Sequence, residues 1–193
     1  MHQVIATQRG DMALGERYAS NMKKRATLSL NNVSIHRGGK TLISGLTLNL
    51  SGPKLLWVAG GNGIGKTSLL RTCAGLSHAE SGQVNWTIKG TPVSAPQAVS
   101  FLPADCYDKP GLSAEEEAKF WNADLANGKI ETHKETLTQN LSTGQAKRLS
   151  FSKLLAKSKP IWILDEPLAG LDNDGRTLIA KYLQEHVQAG GLA

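Results

Sequence analysis

Residues 54–75 read KLLWVAGGNGIGKTSLLRTCAG and carry the strongest structural signal in the chain. The first part, Lys54–Ala59, is almost continuously apolar, which is typical of a strand buried on both faces of a sheet. In the last part, residues 67–74, apolar side chains recur at helical spacing, and Gly75 can supply the left-handed residue that ends a helix. The glycine-rich loop between them therefore connects a buried strand to a helix.

This loop matches the phosphate-binding motif G-x-x-x-x-G-K-[ST]. Phosphates crowd the backbone, so glycines are needed where a side chain would clash, and N–H groups at a helix N-terminus attract the phosphate charge. Lys66 would bridge the β- and γ-phosphates of a nucleotide, and the Thr67 hydroxyl would bind Mg²⁺. A flexible glycine turn is the alternative, but the flanking strand and helix favour the phosphate site. The predicted nucleotide-binding residues are Gly60, Gly61, Asn62, Gly63, Ile64, Gly65, Lys66, Thr67 and Ser68.

A pair of acidic residues follows a second apolar strand. Asp165 and Glu166 come directly after Ile161–Leu164, at the strand end where an open parallel sheet forms its ligand crevice. We expect Asp165 to hold Mg²⁺ and Glu166 to polarise the attacking water. Two adjacent acids are by themselves most often a solvated turn. Downstream of a phosphate loop they favour a nucleotide-hydrolysing site, with Lys66 and Glu166 as its catalytic residues.

A third motif, LSTGQ at residues 141–145, starts a helix that is predicted to run through Lys157. Ser142 offers a hydroxyl and the helix N-terminus offers free N–H groups, so the two could bind an anion. Ser142 could equally be a simple N-cap. Because the motif stands between the other two along the chain, we favour an anion site that includes Ser142 and Gly144.

The remaining patterns predict an α/β chain. Residues 27–50 alternate in short apolar blocks around a turn, which predicts an antiparallel β-meander. Short strands are predicted at Ser81–Ile88 and Val99–Leu102, and a capping-box pattern at Ser113 begins a mainly helical region that reaches residue 158. The last predicted helix carries Leu178, Ile179, Tyr182, Leu183 and Val187 at helical spacing.

Composition and charge exclude several classes of protein. With 193 residues, 40% of them apolar and 20% charged, the chain fits one globular domain with a full core. Its longest apolar run has five residues, against the roughly 20 that a membrane-spanning helix needs. The two cysteines have the spacing of neither a disulfide framework nor a zinc site, which indicates a protein of the reducing cytosol.

Half of the net charge of +6 lies in residues 1–26, and the remaining +3 is too small to imply nucleic acid as a partner. We interpret residues 1–26 as a basic leader that is either a disordered, solvated tail or an overcalled start, meaning that translation begins further downstream. The second alternative rests on Met22, which stands shortly before the first strand pattern. A targeting peptide or a membrane-surface arm is the alternative.

The three motifs together resemble the ATPase subunits of ATP-binding cassette (ABC) transporters, and the resemblance covers residues 27–193. It implies a P-loop NTPase of the ABC type, with a mostly parallel central sheet, an antiparallel β subdomain and a helical subdomain over about 103–158. It also implies a head-to-tail dimer in which Ser142 and Gly144 contact the γ-phosphate held by the partner subunit. Residues 169–172 resemble the loop that communicates between the two ATP sites.

Several stretches, among them KPGLSAEEEAKFW and IWILDEPLAGLD, resemble the haem-exporter ATPases of cytochrome c maturation. This resemblance implies ATP and Mg²⁺ as ligands, integral membrane subunits similar to CcmB and CcmC as partners, and a peripheral location on the cytoplasmic side of the inner membrane. Other functions stay open: the ATPase of a different ABC transporter, a soluble ABC ATPase of translation or DNA repair, or a non-hydrolytic ATP-binding module that assembles its partners.

Three positions and the C-terminal segment depart from the family pattern. Arg37 stands where relatives carry an aromatic ring that stacks on adenine, Asp105 stands where they carry a glutamine, and Thr143 replaces the first signature glycine. Relatives continue past residues 190–191 into a strand that ends with a histidine contacting the γ-phosphate, so the pattern predicts a C-terminally truncated domain and leaves its turnover open. We expect His186, in the last predicted helix, to be an exposed residue.

Overall fold

A computed structural model describes residues 5–6, 25–105 and 110–193 of the chain. The leader predicted at residues 1–26 therefore lies mostly outside the described residues. The strands are β1 (Ile5–Ala6), β2 (Ala26–Arg37), β3 (Lys40–Ser51), β4 (Leu56–Trp57), β5 (Ser81–Ile88), β6 (Thr91–Val93), β7 (Val99–Leu102) and β8 (Ile161–Leu164). The helices are α1 (Lys66–Cys73), α2 (Ala95–Ala98), α3 (Ala114–Phe120), α4 (Thr143–Ala156) and α5 (Asn173–Gln188), with 3₁₀ turns at Leu125–Gly128, Glu131–His133 and Thr138–Asn140.

The chain divides into two compact units. The first unit takes its described residues from Met1–Ser100, Lys159–Ile163 and Gln184–Ala193. The second unit comprises Phe101–Ser158 and Leu164–Leu183, and so takes in the region predicted as a helical subdomain together with residues that follow β8.

An antiparallel sheet is the largest element of the first unit. Its strand order is β3-β2-β5-β6, and its register pairs Leu28 with Leu50 and Leu30 with Leu48. Alternate side chains of β2 face the same side of the sheet, and Leu28, Leu30, Val33 and Ile35 are all buried. The predicted β-meander is therefore confirmed, with its turn at residues 38–39.

Residues 191–193 add a parallel pairing to the first unit. Leu192 forms parallel bridges with both Lys54 and Ile161. The Trp162 N–H donates to the Leu192 carbonyl at 2.8 Å, and the Ala193 N–H donates to the Lys54 carbonyl at 3.0 Å. These residues thus lie between the segment that enters the glycine-rich loop and the start of β8.

The segment before the glycine-rich loop is less buried than the sequence predicts. Regular pairing is limited to Leu56–Trp57, and Leu55 and Trp57 are 40% and 55% exposed. The prediction that Lys54–Ala59 is buried on both faces is therefore wrong, because its described pairing covers only a few positions, with β1 and with residues 191–193. The same prediction is confirmed for Ile161–Ile163, which are 6% exposed or less.

His186 is buried, contrary to the prediction. Its ring stacks on Trp162 with centroids 3.8 Å apart and planes at 12°, and its Nε2 lies 3.2 Å from the Leu192 carbonyl oxygen. Burial lowers the pKa of His186 to about 4, because the charged ring would lose its hydration. Helical spacing could not reveal this burial, since it results from the chain after α5 turning back so that Gly191 packs against the ring.

The second unit has its own apolar core. Ala114 and Ala118 of α3 pack with Ile130 and with Leu149 of α4, and all four are 2% exposed or less. The capping box predicted at Ser113 is present, with the Ser113 hydroxyl accepting from the Glu116 N–H at 3.2 Å. Among the described residues, no helix has both the length and the apolar character needed to cross a membrane.

Candidate functional site

The glycine-rich loop leads into α1 in the first unit. Gly65 occupies the N-cap position with φ +107°, and a Cβ there would lie 3.0 Å from the Cβ of Leu42, so only glycine fits without strain. The helix has no side-chain cap and no acidic residue in its first turn. Its first N–H groups therefore remain available to an anionic ligand.

Lys66 is folded back over the loop. Its Nζ donates to the carbonyl oxygens of Gly60 at 2.8 Å and Gly61 at 2.9 Å. A Cβ added at Gly61 or Gly63 would meet no atom within 4 Å, so the loop faces open space. An ammonium group, free helix N–H groups and an open surface together fit a polyphosphate, and the nucleotide-binding residues 60–68 stay a prediction.

The acidic pair lies in the second unit, at the end of β8. Asp165 is 3% exposed, and its N–H donates to the Leu102 carbonyl at 2.8 Å, beside the end of β7. Glu166 is exposed and has a left-handed backbone with φ +46°. Its carbonyl oxygen accepts from Nζ of Lys147 at 2.8 Å and from the Ala169 N–H at 3.2 Å.

Oxygen atoms are the ligands that Mg²⁺ prefers. The hydroxyl of Thr67 is exposed at the start of α1, and Asp165 offers a carboxylate at the end of β8. Each side chain, taken by itself, thus offers the kind of ligand that the motifs predict, and the Mg²⁺ site stays a prediction.

The third motif begins α4 in the second unit. The Ser142 hydroxyl accepts from the Gln145 N–H at 3.2 Å, and the Gln145 side chain accepts from the Ser142 N–H at 2.8 Å. The simple N-cap that the sequence left open is therefore present. The anion site at Ser142 and Gly144 stays a prediction.

A cavity of about 640 Å³ lies beside this helix N-terminus, within the second unit. Three basic side chains line it, from Lys129, His133 and Arg148, together with one acidic side chain, Asp172. Gly144 and Gly170, which both line the cavity, approach each other closely, because a Cβ at Gly144 would lie 3.1 Å from the Gly170 carbonyl oxygen. The formal positive charges of Lys129 and Arg148 outnumber the one negative charge of Asp172, which suits a negatively charged ligand.

Arg148 and Asp172, which both line this cavity, form an ion pair. The Arg148 guanidinium donates to the Asp172 carboxylate at 2.6 Å, and the Gly175 N–H donates to the same oxygen at 2.8 Å. The hydrogen bond from Arg148 is the main cause that lowers the pKa of Asp172 below its ordinary value. Residues 169–172 are thus tied to the helix that starts at Ser142.

Sequence reasoning missed Lys147, Arg148 and His133, the last of which lies with its Nε2 2.9 Å from the Gln145 side-chain nitrogen. Lysine and arginine on a helix are usually solvated, so composition gave no signal for Lys147 or Arg148. Among the departing positions, Arg37 is exposed and donates weakly to the Ser77 hydroxyl at 3.4 Å. Asp105 lines a second cavity of about 340 Å³ in the second unit.

Comparisons with known proteins agree with these features. A family model described as ABC transporter matches residues 43–169. The cytochrome c biogenesis ATP-binding export protein CcmA of Paracoccus denitrificans is 33% identical over 175 residues, covering 86% of this chain and 80% of its own. The protein of the same name from Methylococcus capsulatus is 36% identical over 188 residues, covering 87% and 89%.

A solved structure supports the fold. An ATP-binding subunit of an ABC transporter superposes with a TM-score of 0.73 at 17% sequence identity, covering 86% of this chain and 77% of that chain. The predicted α/β fold of the ABC ATPase type is therefore confirmed. Family match, relatives and fold agree with one another, and the chain belongs to the ABC transporter family of ATP-binding subunits.

Proposed function

We propose that this chain binds and hydrolyses ATP to drive an exporter of cytochrome c maturation, with haem as the exported cofactor. Family membership makes the chain an ATP-hydrolysing subunit coupled to transport. The observation that carries the nucleotide part is Lys66, whose ammonium lies over the carbonyls of Gly60 and Gly61 at an uncapped helix N-terminus without acidic residues. The cytochrome c part rests on the resemblance to the CcmA proteins.

Each motif has a separate role in this proposal. Residues 60–68 bind the phosphates, and Lys66 would move from its own loop carbonyls to the β- and γ-phosphates. Glu166 orients and polarises the attacking water, since its carboxylate is exposed while its backbone is held in place. Mg²⁺, with Thr67 and Asp165 as ligands, would supply neutralisation of the phosphate charge.

We further propose a head-to-tail dimer that works with integral membrane subunits of the CcmB and CcmC type, on the cytoplasmic face of the inner membrane. Family membership implies a dimeric ATPase with membrane partners. The cavity lined by Lys129, His133 and Arg148 supports a site for the γ-phosphate of ATP bound by the partner subunit, next to Ser142 and Gly144.

Substitution of Glu166 by Gln tests hydrolysis. Glu166→Gln should lose nearly all turnover and still retain ATP, because the amide keeps the shape of the side chain and cannot act as a base. Equal, measurable rates for the variant and the unsubstituted chain would contradict the role of Glu166 as the base. No turnover in either would contradict an ATPase and favour the non-hydrolytic assembly module.

Complementation tests the cytochrome c assignment. A bacterium that lacks its own CcmA gene and carries this gene should make haem-stained cytochrome c, whereas the same strain carrying Lys66→Ala should make none. Normal protein levels of this chain without any holocytochrome c would reject the haem export assignment and leave ATP hydrolysis for a different ABC transporter.

A further inference from the structure

Glu166 has an unusual backbone for its residue type. Its φ of +46° lies in the left-handed region that few residues other than Gly, Asn and Asp adopt readily. Pro167 follows it and restricts its backbone further. Such a conformation persists only where neighbouring groups hold it. The contacts of the Glu166 backbone therefore determine where its exposed carboxylate is placed.

Two donors hold the Glu166 carbonyl. The Ala169 N–H donates at 3.2 Å and closes a turn within the loop itself. The stronger contact is from Nζ of Lys147 at 2.8 Å, which reaches the loop from α4. A helix with its own capping box thus anchors the loop that carries Glu166.

Lys147 is 1% exposed, which is unusual for lysine. A buried ammonium loses its hydration, and lysines on helices normally extend their charge to the solvent. Lys153 on the same helix provides a comparison, because its ammonium pairs at 3.0 Å with the carboxylate of buried Glu117. Lys147 instead contacts a backbone carbonyl, so the Glu166 carboxylate is not held in that contact.

We propose that Lys147 is a positioning residue for Glu166: its buried ammonium fixes the left-handed backbone of Glu166 and thereby aims the free carboxylate at the attacking water. This inference rests on the proposed role of Glu166 in hydrolysis. It predicts that Lys147 affects the rate of hydrolysis without affecting the binding of ATP, since in the proposed function residues 60–68, and not Lys147, bind the phosphates.

Variants of Lys147 separate this role from a structural one. In membranes that contain the full chain, Lys147→Met should lower kcat at least tenfold and leave the Kd for a photoreactive ATP analogue within twofold. Lys147→Arg, which keeps a charged donor, should recover kcat to within about threefold. The matched control is Lys153→Met, which breaks a buried pair on the same helix and should lower Tm while leaving kcat within twofold below the unfolding transition.

A double substitution gives the sharper readout. In the Glu166→Gln background, Lys147→Met should cause no further loss of the residual rate, because the side chain that it positions is already inactive. A further loss equal to that of the single variant would overturn the proposal, and so would a proportional loss of ATP binding. If Lys147→Met does not fold, Lys147→Gln should show the same loss of kcat with an unchanged Kd. Equal losses of kcat and of ATP affinity in Lys147→Gln would overturn the proposal.

The role of Lys147 and the proposed function fail in different ways. No turnover in the unsubstituted chain would overturn the proposed function, and wild-type turnover in Glu166→Gln would overturn the role of Glu166 and with it the positioning role of Lys147. An inactive Glu166→Gln beside a fully active Lys147→Met would overturn only the positioning role of Lys147.

Discussion

Arg148 of α4 donates a hydrogen bond of 2.6 Å to Asp172, the residue whose carboxylate also accepts from the Gly175 N–H in the first turn of α5. The Asp172 carboxylate therefore links α4 to the first turn of α5. The guanidinium is 13% exposed and the carboxylate is 67% exposed, so the contact is shielded mainly on the arginine side.

Replacing Arg148 by Ala should raise the pKa of Asp172, because the hydrogen bond from Arg148 is the largest cause of its lowering. A lowered carboxyl pKa stabilises the folded chain above the ordinary value of about 3.9, and this stabilisation is lost as pH falls through the folded pKa. Carboxyl titration by NMR and urea unfolding at pH 7 and pH 3 should show a deficit at pH 7 that shrinks at pH 3. Lys119→Ala, which breaks an exposed pair with Glu115, is the control and should show neither change.

Two matched capping boxes allow structural and functional effects to be separated. Ser142→Ala and Ser113→Ala each remove one box and should each cost about 1 kcal/mol of unfolding free energy. In urea unfolding the two should therefore look alike. Only Ser142→Ala should also lower ATP turnover of the membrane complex. An equal loss of turnover in both variants would contradict a role for Ser142 beyond helix capping.

Lys66→Ala should weaken ATP binding by roughly tenfold to a hundredfold, which corresponds to the loss of charge-assisted hydrogen bonds of about 1.5–3 kcal/mol. Its Tm should change little, because the bonds that Lys66 makes within the chain go to exposed loop carbonyls. Calorimetric titration with ATP measures the first effect. Arg71→Ala, at an exposed position in the last turn of α1, should bind ATP as the unsubstituted chain does.

His186 should make the chain less stable in mild acid. Its pKa falls from 6.5 to about 4 on burial, so the unfolded chain takes up a proton between these pH values and the folded chain does not. The free energy of unfolding should therefore fall by about 3 kcal/mol as pH decreases from 7 to 4. His186→Phe keeps a flat ring beside Trp162 and cannot take up a proton, so it should lose this slope.

The exposed His78 provides the comparison for this measurement. His78→Gln should keep the pH dependence of the unsubstituted chain in urea titrations. A slope in His186→Phe as steep as in the unsubstituted chain would show that other groups cause the acid sensitivity.

Local signals were sufficient for the elements that carry the motifs. The alternation in β2, the glycine-rich loop before α1 and the capping boxes at Ser113 and Ser142 each depend on neighbouring residues, and the structure contains all of them. The phosphate site was predicted for the same reason, since its lysine and glycines are contiguous, and it stays a prediction.

Contacts between distant segments were not predictable. His186 is buried because residues 190–193 turn back beside its ring, and Trp57 is exposed because its strand has little described pairing. The burial of Lys147 was unpredictable for the same reason, because its partner is a backbone carbonyl nineteen positions away rather than an oppositely charged side chain. Patterns of residue type do not report which carbonyl a buried ammonium reaches.

The backbone of Glu166 has a consequence for how this chain can change. Glycine would adopt its φ of +46° at little cost, so Glu166→Gly should relieve backbone strain and raise Tm while abolishing turnover. At position 166 we therefore expect glycine to give the more stable fold and glutamate to give the higher rate of hydrolysis. Selection for thermal stability and selection for ATP turnover therefore favour different residues at this position.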